Sequence, residues 1–306
     1  MKAAFFFRYS GVLSVRPARL LLAAICGAMA MGQASAAEAG APLSVMTYNI
    51  RIDVPSDNPP WPARRVPLIA QIAFFRPDIL GIQEAKTPTL AELADGLQGY
   101  DHYGVGRDDG VQAGEYAAIF YRPDRFERIS AQTKWCAPDP DVPMKGWDAV
   151  HKRVISRVVL KDRLSGHYLD VRNTHFDNQG EIARENCARL MGSLPVAEVK
   201  GHKALLIIMG DFNADPNSTP YRLLMKGNAL ALQDARLVSP VVFGPEGTGN
   251  GFDLIRPDVP RIDYVFTGPG PAVERYGVLN NSIDGKPISD HFPVLVHMIL
   301  PPGKTK

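Results

Sequence analysis

The chain has 306 residues, 45% of them hydrophobic, with 34 Lys+Arg against 32 Asp+Glu, a formal charge of +2 and three cysteines. It has no Lys/Arg-rich run, internal repeat or low-complexity segment, and no C-x-x-C pair. This argues against a basic footprint for long nucleic acid and against zinc, and leaves enough apolar residues for one large globular domain.

Residues 1–36 carry Lys2, Arg8, Arg16 and Arg19 and no acid, followed by an apolar run from Leu20 to Met31 and by Ala34-Ser35-Ala36. A basic start, a short apolar core and an A-x-A site predict a secretory signal peptide cleaved after Ala36. The run falls short of the ~20 apolar residues a membrane span needs. Loss of the four basic residues lowers Lys+Arg from 34 to 30 against 32 Asp+Glu, so the mature charge becomes −2. Residues 37–306 are expected to form a single domain, secreted or periplasmic, without a stable membrane anchor and monomeric. Cys136 and Cys187 remain in an oxidising compartment, and the sequence leaves open whether they pair.

The mature chain opens with a strand from Leu43 to Ile50, then a loop holding Pro55, Pro59, Pro60 and Pro62. Arg64 to Arg76 has helical periodicity with Val66, Ile69, Ile72 and Ala73 inward, stopped by Pro77. Asp78–Glu84 is a short apolar strand ending in a carboxylate, Thr87–Leu97 a helix, and Glu115–Tyr121 a strand. Residues 131–152, rich in Pro, Trp and Asp, form a long loop. Arg153–Leu160 and His167–Thr174 make a hairpin around a turn at Asp162–Gly166, followed by a helix from Gly180 to Lys200 that Pro195 interrupts. The apolar run Leu205–Met209, closed by Gly210, is a buried strand leading into Asp211 and Asn213, two residues apart and so on one side of an extended chain. A helix at Thr219–Lys226 and strands at Arg261–Phe266 and Phe292–Leu300 complete the chain. Early alternation of helices and strands, with strands dominating later, predicts an α/β sandwich with helices covering sheets and not a closed barrel.

Strand ends carry Asn49, Glu84, Glu115, Asn173 with His175, Asp211 with Asn213, Asp263, and Asp290 with His291. If these are neighbouring ends, they converge on one cleft. Oxygen ligands without a thiolate favour magnesium, manganese or calcium over zinc, and two histidines beside carboxylates supply acid and base. Alone, Asp211 and Asn213 also suit an Asx turn, and a lone His175 on a strand is more often structural. Tyr116 and Trp135 read as packing groups and Asp108-Asp109 as a turn. Lys145 and Trp147 either line the cleft or sit on the loop, and His151, His167, His202 and His297 have no motif partner.

Thr47-Tyr48-Asn49, Gln83-Glu84, Asn173-Thr174-His175, Gly210-Asp211-Phe212-Asn213, Arg261-Ile262-Asp263-Tyr264 and Ser289-Asp290-His291, in this order, resemble the endonuclease/exonuclease/phosphatase superfamily over residues 43–300. That group contains pancreatic deoxyribonuclease, AP endonucleases, inositol polyphosphate 5-phosphatases and neutral sphingomyelinases, and this chain looks closest to a bacterial secreted branch. The resemblance implies a four-layer α/β sandwich, two central mostly antiparallel sheets flanked by helices, with a divalent metal, Mg²⁺ in the first place, in the cleft. Glu84 would be the principal metal ligand, with Asn49 and Asp290 close to the metal. Asp211 would orient or deprotonate the attacking water and Asn213 would hold it or a phosphate oxygen. His291, oriented by Asp263, and His175, paired with Glu115, would be the catalytic imidazoles, and Arg153 and Asn173 would contact phosphate. The chain departs from its relatives in having Asn178 where Asp-His is frequent, and in lacking DNA-gripping loops and an apolar membrane hairpin. The expected activity is metal-dependent hydrolysis of a phosphodiester or phosphomonoester, on a nucleic acid, a nucleotide or another phosphate ester. A nuclease is the alternative within that chemistry, and a non-catalytic binding module the alternative outside it.

Overall fold

Strand Pro42–Asn49 is the seam of one sheet. It pairs in parallel with Ile79–Ala85 and antiparallel with Val294–Ile299. The computed structural model describes residues 40–303 apart from 227, 228 and 257, so the predicted signal peptide lies outside the described residues. From one edge to the other, this seven-stranded sheet runs 242–243, 272–278, 294–299, 42–49, 79–85, 116–121 and 101–103. A six-stranded sheet runs 233–234, 263–267, 205–211, 168–175, 154–162 and 126–135. Most neighbouring pairs in both are antiparallel, as expected.

The period-two alternation of the strands places the core between the sheets. Val45, Ile79 and Ile119 of the first sheet meet Val158, Val171, Ile207 and Met209 of the second. The opposite faces pack on helices. Met46, Leu80 and Ile82 touch Leu68, Ile72, Leu90 and Leu93 of helices Trp61–Phe75 and Thr87–Gly96, while Leu206, Ile208 and Phe266 touch Ala188, Met191 and Tyr221 of helices Glu181–Ser193 and Thr219–Met225. The result is helix, sheet, sheet, helix. Among the described residues no helix is long and apolar enough to cross a membrane.

The first helix corrects the sequence reading. It begins at Trp61, and Val66 and Ala73, expected inward, are exposed, whereas Arg64 is buried. The Arg64 guanidinium donates to the carbonyls of Ile50, Pro59 and Arg51 at 2.6, 3.0 and 3.3 Å. A charged side chain that satisfies an adjoining loop's carbonyls can take an inward position, and this rotates the apolar stripe away from the one periodicity alone selects. Elsewhere, the first residues of the expected 131–152 loop continue strand Phe126–Trp135, the helix from residue 181 stops at Ser193, and the strand Ala272–Val278 has no counterpart in the sequence reading. Cys136 and Cys187 are bonded, with Cα atoms 4.9 Å apart, joining the end of strand 126–135 to helix 181–193.

Candidate active site

Both sheets deliver their polar strand ends to one cleft of about 300 Å³, bordered by Arg51, Ile52, Glu84, Glu115, His151, Arg153, His175, Asn178, Asp211, Asn213, Asp290 and His291. Parallel pairing aligns Asn49 with Gln83 in one sheet and Asp211 with His175 in the other, and antiparallel pairing sets Asp263 opposite Asp211. Register therefore does most of the assembly. Gly210, at φ 144, sits where a Cβ would come within 2.1 Å of the Thr174 carbonyl, so only glycine admits the close approach before Asp211.

Glu84 reaches the cleft against the strand's alternation. Gln83 points between the sheets, where its Nε2 donates to Asn173 Oδ1 at 2.7 Å, so the next side chain should face the helices. Instead the ladder to strand Tyr116–Tyr121 shifts register between Gln83 and Ala85, and Glu84 adopts φ 69. A bulge with a left-handed residue re-aims the carboxylate at a cost of the order of 1–3 kcal/mol, a departure tolerated where function requires it. Once turned, Glu84 accepts from Asn49 Nδ2 at 2.9 Å and from the Ile52 amide at 2.8 Å.

Asp211 is the hub. Its Oδ2 lies 3.0 Å from Asn49 Nδ2, 3.4 Å from His175 Nε2 and 3.8 Å from His291 Nε2. Its Oδ1 accepts from the Asn213 amide at 2.9 Å, so the Asx-turn geometry and the site coincide. Asn213 faces the cleft through this turn, at φ 45, and not by strand alternation. Burial first, and Asp263 second, raise the Asp211 carboxyl well above the usual carboxylate range.

The two imidazoles differ. Burial opposes charge on both, but Asp263, 2.8 Å from Nδ1, and Asp211 overcome it at His291 and hold that ring protonated far above its ordinary value. At His175 burial is reinforced by Arg153 and Arg107, and the ring stays neutral. Glu115 does not reverse this. Arg107 grips both of its oxygens at 2.7 and 2.8 Å, leaving His175 Nδ1 4.0 Å from Oε2. Asp263 stands behind His291 as its orienting carboxylate.

Asp290 also borders the cleft, 3.6 Å from an Arg51 guanidinium nitrogen, and its carboxyl is raised by burial, with Glu84 adding to the effect. Two partly buried carboxylates that border the same cleft, with oxygen as their only donor type, fit a hard divalent cation. Asn49 acts as their organiser, since its Oδ1 accepts from the Arg51 amide while Nδ2 bridges Glu84 and Asp211. Asp211, Asp263 and His291 bring ligand atoms within 4.8 Å of one another, and His291 spends Nδ1 on Asp263 Oδ2 at 2.8 Å.

Three sequence-derived candidates do not border the cleft: Asn49 and Asp263 stand behind it, bonded to Glu84, Asp211 and His291, and Asn173 does not reach it. Asn173 is fully buried between the sheets, donating to the carbonyls of Ile82 and Ala118 at 2.9 and 2.8 Å. Arg153 does reach the cleft, and Lys145 and Trp147 are not among the residues that border it. Tyr116 and Trp135 are packing groups, and Asp109 caps a turn by accepting from three successive amides. Sequence reasoning missed Arg51 and His151 as lining residues and met Asn178 only as a departure from the family's Asp-His. Arg51 has a local signal, two residues beyond Asn49, whereas His151 and Asn178 are placed by Asp177, whose carboxylate accepts from the amides of Val150, His151, Gln179 and Gly180.

Residues 46–291 match the endonuclease/exonuclease/phosphatase family. The chain belongs to that family. A solved family member from Bacteroides vulgatus is 35% identical, with a TM-score of 0.80 over 85% of this chain and 99% of that one. A mannosyl-6-phosphatase from Bacteroides thetaiotaomicron is 34% identical, with a TM-score of 0.78 over 84% of this chain and all of that one, 100%. Carbon catabolite repressor protein 4 homolog 2 of Arabidopsis thaliana is 24% identical over 268 residues, 74% of this chain, and this chain spans 44% of the length of that curated relative. Endonuclease/exonuclease/phosphatase proteins are hydrolases of phosphoester bonds that generally use divalent metals.

Proposed function

We propose that this protein is an exported, divalent-metal-dependent phosphohydrolase that cleaves small phosphate esters by in-line attack of water. The observation that carries this reading is the single oxygen Oδ2 of Asp211, held within 3.0–3.8 Å of Asn49, His175 and His291 on the wall of a carboxylate-lined cleft. A buried carboxylate of raised basicity can take a proton from water. His291, kept cationic by Asp263, offers Nε2–H to the charge that builds on the phosphoryl oxygens, and neutral His175 orients the base. Asn213 can hold the water or a phosphate oxygen.

Glu84 and Asp290 would hold Mg²⁺, supported by Asn49. The bound ion would neutralise phosphoryl charge. Export rests on the signal-like residues 1–36. The mature charge of −2 and the modest cleft favour a small ester over long DNA or RNA, and the 34% identical mannosyl-6-phosphatase lends support to a monoester.

The test is the purified mature chain on bis-p-nitrophenyl phosphate, p-nitrophenyl phosphate, sugar phosphates, RNA and plasmid DNA, with Mg²⁺, Mn²⁺, Ca²⁺ or chelator. The expected result is chelator-sensitive ester hydrolysis that falls by about 10³-fold or more in Glu84→Ala. Inactivity across the panel would overturn the hydrolase, undiminished activity in Glu84→Ala would overturn the metal role, and efficient plasmid nicking at moderate salt would overturn the preference for small esters.

A further inference from the structure

The wall of the cleft around His175 is chemically unlike the carboxylates around Glu84. It is made of Glu115, His151, Arg153 and Asn178. Arg153 is 4% exposed, spends Nε on Asp177 at 3.4 Å and Nη2 on Asn178 Oδ1 at 3.2 Å, and has a third nitrogen, Nη1, with no protein partner. Beside it, Arg107, Glu115, Arg153 and His175, with Tyr116, Ala117 and Val154, border a hollow of about 10 Å³, room for a single water-sized oxygen. Both Arg153 Nη1 and His175 Nδ1 are buried polar atoms without a protein partner. Such atoms are costly unless something bonds to them.

Two features decide what that something is. The charges cancel, because Arg153 is paired with Asp177 and Arg107 with Glu115, so the wall is a neutral mixture of donors and acceptors. Ile52 is the sole apolar side chain among the residues bordering the cleft, and its only rings are the imidazoles of His151, His175 and His291, so an acyl chain finds no greasy surface and the wall offers mainly hydrogen-bonding groups. We infer that this wall is a leaving-group subsite for an alcohol bearing several hydroxyls, read by Arg153, Asn178 and Glu115. The inference rests on the phosphohydrolase reading and deepens it: a phosphate held near Asp211 and His291 would place the esterified polyol against Arg153 and Asn178. Asp177 is the positioning residue, since it anchors the amides of Val150 and His151 and the Arg153 guanidinium together.

The experiment compares mannose 6-phosphate with n-hexyl phosphate, equal in carbon number but lacking the hydroxyls. The wild-type protein is expected to favour the sugar ester by about 10²-fold in kcat/KM, and Asn178→Ala and Arg153→Met each to lower that ratio by about tenfold or more. Asn178 is exposed, so its variant tests the subsite even if the buried Arg153 change compromises folding. A wild-type ratio near one, or a ratio unmoved in Asn178→Ala and in folded Arg153→Met, overturns the subsite and leaves a hollow that holds a structural water. Calorimetry on Asp211→Asn protein with the same two esters separates the two readings. Tighter sugar-phosphate binding that Asn178→Ala weakens upholds the subsite even if no ester is hydrolysed, and equal binding of both esters overturns it even if hydrolysis is robust.

Discussion

The two ends of the cleft face the same Asp211 oxygen but solve opposite electrostatic problems. Around His291 the neighbours are acids, and Asp263 and Asp211 hold a buried imidazole as a cation against its desolvation. Around His175 the neighbours are guanidinium groups, Glu115 is taken by Arg107, and an equally buried imidazole stays neutral. One end is assembled from strand termini fixed by sheet register. At the other, His175 also closes a strand, but His151 and Asn178 stand on loops fastened by the Asp177 carboxylate, by the Cys136–Cys187 bond, and by Asp148, which accepts from the amides of Ile182 and Ala183 at the start of helix 181–193. Burial alone therefore does not set a histidine's role; the sign of the groups beside it does.

Substituting the residue shared by both ends should have the largest effect. Asp211→Asn keeps the shape and removes the base, so kcat on the best ester is expected to fall by about 10³-fold or more with folding intact by circular dichroism. A fall below tenfold would mean that another group activates the water. Next is the acid-rich end alone. Asp263→Asn deprives His291 of the carboxylate that keeps it charged, and kcat should drop by about 10²-fold; an unchanged kcat would show that the cationic ring takes no part.

The loop-built end should register first in stability. The disulfide spans 51 residues of sequence, and closing a loop of that length restricts the unfolded chain by about 4 kcal/mol. Cys136→Ser with Cys187→Ser, or reduction, should lower the urea midpoint accordingly, and an unaltered midpoint would show that the Asp148 and Asp177 contacts suffice.

The smallest effect expected is pH-dependent. Burial of Asp177 opposes its charge, but four backbone amides outweigh that and hold its carboxyl at about 2. A folded-state value below the unfolded value near 4 contributes stability that is complete above pH ~4 and is lost as pH falls towards 2, here about 1 kcal/mol once solvent screening is allowed for. Asp177→Asn should therefore be less stable than wild type by about that amount at pH 7, with the gap closing below pH 3 in denaturant titrations. A gap independent of pH would assign its role to shape and not to charge.

The sequence by itself carried the resemblance to the family and the layered α/β sandwich, and it singled out Glu84, Asp211, Asp290 and His291, which sheet register and the adjoining turns bring to one cleft. Only the tertiary structure decided how Glu84 turns into the cleft through a bulge at φ 69, and that Asn173 ties the sheets together without touching the cleft. It also decided that His151, Arg153 and Asn178 share a wall, and that Cys136 meets Cys187. The charge states of His175 and His291 belong with these. Each depends on groups far apart in sequence, such as Asp263 for His291 and Arg107 for His175, whose influence appears only when folding removes the water between them.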